Sequence, residues 1–438
     1  MPYSQRAILV RTAGSIFLLV IGFAIGILAY RSPRSRAFLA RSARRLGWHR
    51  EQNRAPVEVE SRSIPPQVLS IPYVQGSIDR DPRRGVVAYD RSRAFPGVNF
   101  YTSVGGDAWL IDMDGRILYR WSNPAHLAPA RWNGTNSFWE FSYLFPDGRL
   151  LASRVNGDLV ELDERSHVLW ICKGRFHHDL DVAANGDIYA LTWEAEILPA
   201  IHATQPALID QLLVISGDGV IKRKISLLDL LRRSPYAFLL PSIQDLHVDG
   251  TNRELDLIHS NHVEIVGDGA PFPRGSVLLG MRNINAMVVL APSLDRILSL
   301  WGPSNLSFPH DPTLLPSGNV LIFDNGTERS QIIEVNPRTF SIVWRYAPPS
   351  GFFSPARGSV QRLPSGNTLI TESDRGNAFE ITPRGEVVWR FENPDLAPGG
   401  LRSAIFRMTR FRPEQLPFLL KLQQRRPASR STASTGAR

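Results

Sequence analysis

Leu315–Gly326 (LPSGNVLIFDNG) returns almost letter for letter at Leu363–Asp374 (LPSGNTLITESD), 48 residues later. Each copy reads as a strand, a Ser-Gly-Asn turn and a second apolar strand. Each is followed by another strand pair ending in tryptophan, Gln331–Tyr346 with Trp344 and Ala378–Phe391 with Trp389, an offset of 45. A period of this size with about four short strands per unit marks a β-propeller blade.

The same pattern extends outward from this pair. Between residues 85 and 400 the sequence holds six strand-rich units. The first runs through Trp109–Trp121. The second joins Tyr143–Ser153 to Asp158–Trp170, and the third joins His178–Thr192 to Gln211–Ile225. The fourth runs from His259 to Trp301, and the two repeat copies are the fifth and sixth. Asp-Gly, Asn-Gly and Ser-Gly pairs recur where hairpin tips need positive φ. Trp121, Trp170, Trp301, Trp344 and Trp389 end the last strands of their units and read as packing between neighbouring blades. The third unit is interrupted by 193–208 and followed by 226–242, which read as loops on one face, with a helix around Leu227–Arg233. The expected fold is all-β, a six-bladed β-propeller with an N-terminal transmembrane helix.

That helix is Thr12–Tyr30, which has no charged residue and just spans a hydrocarbon core of about 30 Å. No small-residue cleavage site closes the run, so an uncleaved single-pass anchor is preferred to a signal peptide or a buried soluble helix. Residues 1–11 form a short basic N-terminus and 31–84 an Arg/Pro-rich linker. Residues 401–438 read as a basic, disordered tail, with a membrane-surface helix over Phe406–Leu422 as the alternative.

The formal net charge of +9 is unevenly distributed. Residues 1–54 hold ten Arg against one acid, and 401–438 hold nine Lys/Arg against one acid. The body between them carries 31 basic and 39 acidic residues. An acidic body argues against nucleic acid as a partner, whereas basic ends suit an anionic membrane surface. Eight arginines follow the apolar run and two precede it, which favours a cytoplasmic-facing body. Cys172 is the sole cysteine, so no disulfide forms within the chain.

Three histidines open inner strands of their units: His178 in HDLDVAANGDIYAL, His259 in HSNHVEI and His310 in HDPTLLPSGNVLIF. Arg282 lies in the strand after His259. Inner strands line the channel of a propeller, so these four side chains are expected to converge at its mouth. A guanidinium can hold sulfate or phosphate oxygens, one neutral imidazole can attack, and others can move protons. Zinc or copper on the three histidines is the competing chemistry, disfavoured by the guanidinium, and no metal or other cofactor is assigned. Each histidine taken singly could equally cap or pack a blade edge, and Asp179 and Asp311 could simply form turns. His177, His247 and His262 stand close by as participants or bystanders. Non-catalytic binding of an anionic ligand or partner protein is the alternative function, and a quinone-dependent propeller dehydrogenase a weaker one.

Three ordered segments resemble the bacterial arylsulfate sulfotransferase family. They are Phe176-His177-His178-Asp179, then Asp256-Leu257-Ile258-His259-Ser260-Asn261, then Pro309-His310-Asp311 with LLPSGNVLIFDNG. The resemblance covers roughly residues 100–395. It implies ping-pong transfer of a sulfuryl group from an aryl sulfate to a phenol, without a nucleotide sulfate donor. It implies His310 as the nucleophile that becomes sulfohistidine, with His178, His259 and Arg282 holding oxygens and managing charge. Asn261 would orient His259, and Asn261, His177 and Asp311 are the implied substrate-binding set. The resemblance also implies export, with the propeller on the periplasmic side of a bacterial inner membrane. Three features depart from the pattern: an insertion at 267–274 ahead of Arg282, a single cysteine where the family's periplasmic members carry a disulfide, and a linker where they carry an extra N-terminal β-domain.

Overall fold

The Ser-Gly-Asn turns reverse the chain as the repeat requires. Gly318 N–H donates to Leu315 O at 2.8 Å, with Gly318 at φ +82°, a left-handed value that glycine adopts without a Cβ penalty. His310–Leu314 therefore pairs antiparallel with Val320–Asp324, and Gln331–Asn336 and Ser341–Tyr346 complete a four-stranded sheet. Around Gly366, at φ +88°, the second copy builds Ser359–Arg362, Thr368–Glu372, Asn377–Ile381 and Val387–Glu392 in the same order. Gly85–Tyr89 adds a fifth strand to its outer edge.

The computed structural model describes residues 76–77, 82–103, 107–124, 139–154, 157–240, 254–397 and 400–425. They form an all-β, propeller-like fold with few helices. Two further four-stranded sheets are Ser260–Ile265, Val277–Met281, Ala286–Leu290, Ile297–Trp301, and Ile405–Phe411, Val98–Ser103, Ala108–Ile111, Ile117–Trp121. Residues 139–226 form one continuous sheet, because Val168–Val182 is a single 15-residue strand that pairs on both sides. The expected break between Trp170 and His178 is therefore absent. Leu227–Arg233 is the expected helix, capped by the Ser226 hydroxyl accepting from Asp229 N–H at 3.2 Å.

Buried apolar clusters lie between strand sets that follow one another in sequence. One joins Leu278, Met287 and Val289 to Val320, Ile322 and Ile333, and the next joins Leu321 and Phe323 to Val360, Ile370 and Phe379. Another joins Leu369, Val388 and Trp389 to Tyr101, Ile111 and Ile405, linking the last sheet to the first. The outer-strand tryptophans fasten these interfaces. Trp121, Trp170, Trp344 and Trp389 donate their indole N–H to Gly148 O, Gly217 O, Pro383 O and Met113 O, each in a turn of the next strand set. They are packing residues, as expected.

The chain beyond residue 400 corrects the sequence reading. Ile405–Phe411 is a strand, neither tail nor helix, and it is the partner that Val98–Ser103 needs on its inner side. Two of the arginines in this stretch are not solvated. Arg410 is fully buried against Glu380 and Asn99, and Arg402 against Glu392. Burying a guanidinium is tolerated where it is paired and hydrogen-bonded. Pro417–Arg425 is a helix whose start packs Leu416 and Phe418 onto the core under Trp121 and Trp139. The apolar run 12–30, most of the linker, His247 and residues 426–438 lie outside the described residues. Among the described residues, no helix is long and apolar enough to cross a membrane.

Candidate active site

The inner strands are irregular where the histidines sit. The ladder slips between Thr192↔Phe176 and Ala190↔Leu180, between Ser260↔Met281 and His262↔Gly280, and between His310↔Phe323 and Thr313↔Leu321. Bulges of this kind re-aim side chains near functional sites. His178, His259, Phe308 and Asp311 all have left-handed φ, at +57°, +50°, +56° and +50°. Such values cost a non-glycine residue on the order of 1–3 kcal/mol and persist where the surroundings hold them.

His178 and His259 come together with their Nε2 atoms 3.1 Å apart. His259 Nδ1 is hydrogen-bonded to the Asp256 carboxylate, and His178 Nδ1 lies 2.9 Å from His177 Nδ1. Asp256, His259, His178 and His177 thus form one chain of proton-bearing groups. Burial, then the charge of His259, pushes both His178 and His177 well below the usual imidazole range. His177 stacks on Trp193 at 3.9 Å.

His310 is buried, and its two ring nitrogens differ. Nδ1 faces Asn325 Oδ1 at 2.7 Å and Phe308 O at 3.0 Å. The Asn325 amide cannot turn over, because its Nδ2 donates to Ser354 O at 2.6 Å and Arg357 O at 2.9 Å. Two acceptors at Nδ1 put the neutral ring's proton there. Nε2 then carries the lone pair, and it has no hydrogen-bond partner among the described residues. Burial first, then the Arg282 charge, lowers the His310 pKa to about 3, against the opposing pull of Asn325 and Phe308.

Arg282 begins a short 3₁₀ turn, where its N–H donates to His259 O at 3.0 Å and Asn283 N–H donates to Ile258 O at 3.1 Å. The guanidinium lies 4.7 Å above the Phe308 ring and donates to Asn283 Oδ1 at 2.9 Å. The 267–274 insertion leaves this geometry intact, because it falls between Ile265 and Val277 at the opposite end of the hairpin. A cation, an unprotonated imidazole nitrogen and a proton chain thus share one site. Such a site can hold an anionic group, attack it and move the protons that result.

Three of the implied substrate-side residues have their contacts within the protein. Asn261 does not orient His259. Its Nδ2 donates to Pro309 O at 2.8 Å, tying one inner strand to the residue before His310, and Asp256 holds His259 instead. Asp311 is occupied by protein, accepting from Val360 N–H and from Arg407, each at 2.8 Å. His177 is fully buried between Trp193 and His178. Sequence reasoning missed Asp256, Trp193, Asn325 and Arg407. Asn325 stands in the quoted FDNG motif, and Asp256 stands three residues before His259, so both had a signal. Asp210, behind this group, accepts from Ser260 N–H at 2.6 Å and has its pKa raised by burial and by Asp256.

Asp179, His262 and Asp311 bring ligand-type atoms within 4.8 Å of one another. The space between the two carboxylates is already bridged by a cation of the chain. Arg407 donates to both Asp179 oxygens at 2.9 Å and to Asp311 at 2.8 Å.

A family model described as arylsulfotransferase (ASST) matches residues 152–394. No curated protein matches the chain. Solved structures include a protein of unknown function from Bacteroides caccae, at 13% identity and TM-score 0.48, covering 73% of this chain and 100% of that one. A virginiamycin B lyase from Staphylococcus aureus, solved with quinupristin, is 12% identical with TM-score 0.40, covering 71% and 89%. BamB from Moraxella catarrhalis is 11% identical with TM-score 0.32, covering 70% and 76%. Likenesses of that size carry no conclusion about activity.

Proposed function

The chain belongs to the arylsulfotransferase family, and on that premise we propose that it moves a sulfuryl group from an aryl sulfate to a phenol through a sulfohistidine at His310. The observation that carries this reading is the state of that ring. Its proton is held on Nδ1 by two acceptors, and its Nε2 is buried, unprotonated and without a partner among the described residues. A nucleophile of this kind needs no separate base to activate it.

In the first half-reaction the Nε2 lone pair forms the N–S bond as the S–O(aryl) bond breaks, and the electron pair leaves on the phenolate. His259, held by Asp256 through Nδ1, gives that oxygen a proton from Nε2, the position it shares with His178. Arg282 neutralises the charge spread over the transferring oxygens. In the second half-reaction a phenol returns its proton to His259, its oxygen attacks sulfur, and the N–S electron pair goes back to Nε2.

The site lies where inner strands of separate sheets meet, and we read the fold as six blades. The Trp170–Gly217 bond and the cluster of Phe141, Leu151, Leu159, Leu180 and Leu213 divide the continuous 139–226 sheet as they divide separate ones. A crystal structure with five or seven sheets around the axis would refute that count. We also assign Thr12–Tyr30 as a membrane anchor that leaves the propeller outside the inner membrane. The assignment fails if alkaline carbonate extracts the full chain from membranes, or if a C-terminal phosphatase fusion is inactive.

The test of the reaction is direct. Mixed with 4-nitrophenyl sulfate and no acceptor, the protein should release about one equivalent of nitrophenol in a burst. One SO3 group should then be found, acid-labile, on the peptide containing His310. Added phenol should discharge it as phenyl sulfate. Nitrophenol release without any covalent adduct would mean direct transfer, and neither release nor adduct would mean a binding propeller.

A further inference from the structure

We propose that Arg407 is a positioning residue for the transfer, clamping the residues that follow His178 and His310 and so fixing the distance between their imidazoles. This rests on the reaction proposed above. His178 and His310 lie in different sheets, 132 positions apart. Each is followed by an aspartate, and a left-handed residue stands at each His-Asp step, His178 in one and Asp311 in the other. The aspartates meet at one guanidinium. Nη1 and Nη2 of Arg407 donate to the two oxygens of Asp179 at 2.9 Å each, and Nη2 also donates to Asp311 Oδ1 at 2.8 Å. His262 completes the cluster, its Nδ1 lying 2.8 Å from Asp179 and 3.3 Å from Asp311.

The backbone takes part as well. Asp179 Oδ2 accepts from Val263 N–H at 3.3 Å, and Asp311 Oδ2 from Val360 N–H at 2.8 Å. Residues from five inner strands are therefore tied together at one place, directly after the two imidazoles in sequence. Arg407 comes from Ile405–Phe411, the strand that completes the first sheet from the far end of the chain. The site is therefore assembled only when that strand is in place. A planar fork can bridge two carboxylates at fixed separation, whereas an ammonium is a point charge on a flexible stem. A displacement of about 1 Å at reacting groups can cost about 100-fold in rate.

The experiment compares the full chain with Arg407→Lys and Arg407→Gln. Arg407→Lys should keep a cooperative melt and a KM within about twofold, while kcat falls about 10- to 100-fold. A purely structural cross-link would instead lower Tm and leave kcat per folded molecule unchanged, and that result overturns the proposal. The pH profile adds a second readout. The charged groups facing Asp179 and Asp311 are Arg407, His262, Asp181 and Glu264. Arg407 and His262 hold Asp179 at about 2, so removing the guanidinium raises it. The acid side of the kcat profile, set in the wild type by His310, should then gain a second protonation from Asp179 in Arg407→Gln and keep its wild-type form in Arg407→Lys.

Should Arg407→Gln fail to fold, Asp311→Asn tests the same clamp from its other end. Nitrogen NMR of the histidine rings tests it without turnover. If the wild type transfers no sulfuryl group, the catalytic reading has failed by itself. Unchanged His178 and His310 ring signals in Arg407→Lys would separately refute the clamp.

Discussion

Replacing His310 by alanine should abolish sulfuryl transfer, lowering kcat by at least about 10⁴-fold and removing the covalent adduct altogether. The fold should survive, because the ring makes two hydrogen bonds through Nδ1 and none through Nε2. Losing those two bonds and leaving Asn325 Oδ1 buried without a donor should cost on the order of 1–3 kcal/mol. His310→Gln, which keeps a donor in reach of Asn325, should melt closer to the wild type and be equally inactive. Pairing the two variants separates lost chemistry from lost packing. Imidazole added to His310→Ala offers a free nucleophile of the missing kind and should restore part of the nitrophenol release, with the sulfuryl group leaving on imidazole. A variant that kept more than about a tenth of the rate would place the nucleophile on another side chain. Because His310 titrates at about 3, the wild-type rate should not decline through the ordinary imidazole range on account of this ring.

Why that ring could be singled out from sequence, and its supports could not, is a matter of range. The turns were legible because Gly318 and Gly366 sit where positive φ is needed, at a fixed spacing. The tryptophans were legible because they end outer strands, and four of them make the same bond to a neighbouring turn. Convergence of His178 and His259 followed from inner-strand position, and their Nε2 atoms are 3.1 Å apart. The break expected after Trp170 had no turn chemistry behind it: Cys172-Lys173-Gly174-Arg175 runs on as strand. Arg407 was hidden for a different reason. Its partners Asp179 and Asp311 are 228 and 96 positions away, and its neighbours Arg402 and Arg410 pair with Glu392 and Glu380, 10 and 30 positions away on other sheets. A run of arginines looks solvated when each counter-charge is supplied by another blade. The protein contacts of Asp311 and Asn261 were hidden similarly, since an aspartate beside a histidine can face a ligand or a neighbouring strand, and spacing does not distinguish them.

Arg282 offers the second large effect, and it divides into two parts that can be measured separately. The guanidinium over Phe308 is the cation whose charge most lowers His310, after burial itself. Its first contribution is to the transition state, where negative charge spreads over the sulfuryl oxygens. Removing a preorganised donor of that kind costs about 10²- to 10³-fold in kcat, and Arg282→Gln should lose that much. Its second contribution is to the nucleophile. A nearby positive charge disfavours the imidazolium, so deleting it must raise the His310 pKa. The neutral ring is the active form, so the acid limb of the rate profile should move up from about 3 in Arg282→Gln. It should stay below the ordinary 6.5, because burial, the larger cause, is untouched. Arg282→Lys separates the two contributions. It keeps the charge, so the limb should hardly move, but it cannot grip two oxygens at once, so the rate should still fall. The backbone bond from residue 282 to His259 O is common to all three proteins, so loss of that tether cannot explain a difference between them. An Arg282→Gln profile with its acid limb unmoved would mean that the guanidinium does not act on His310.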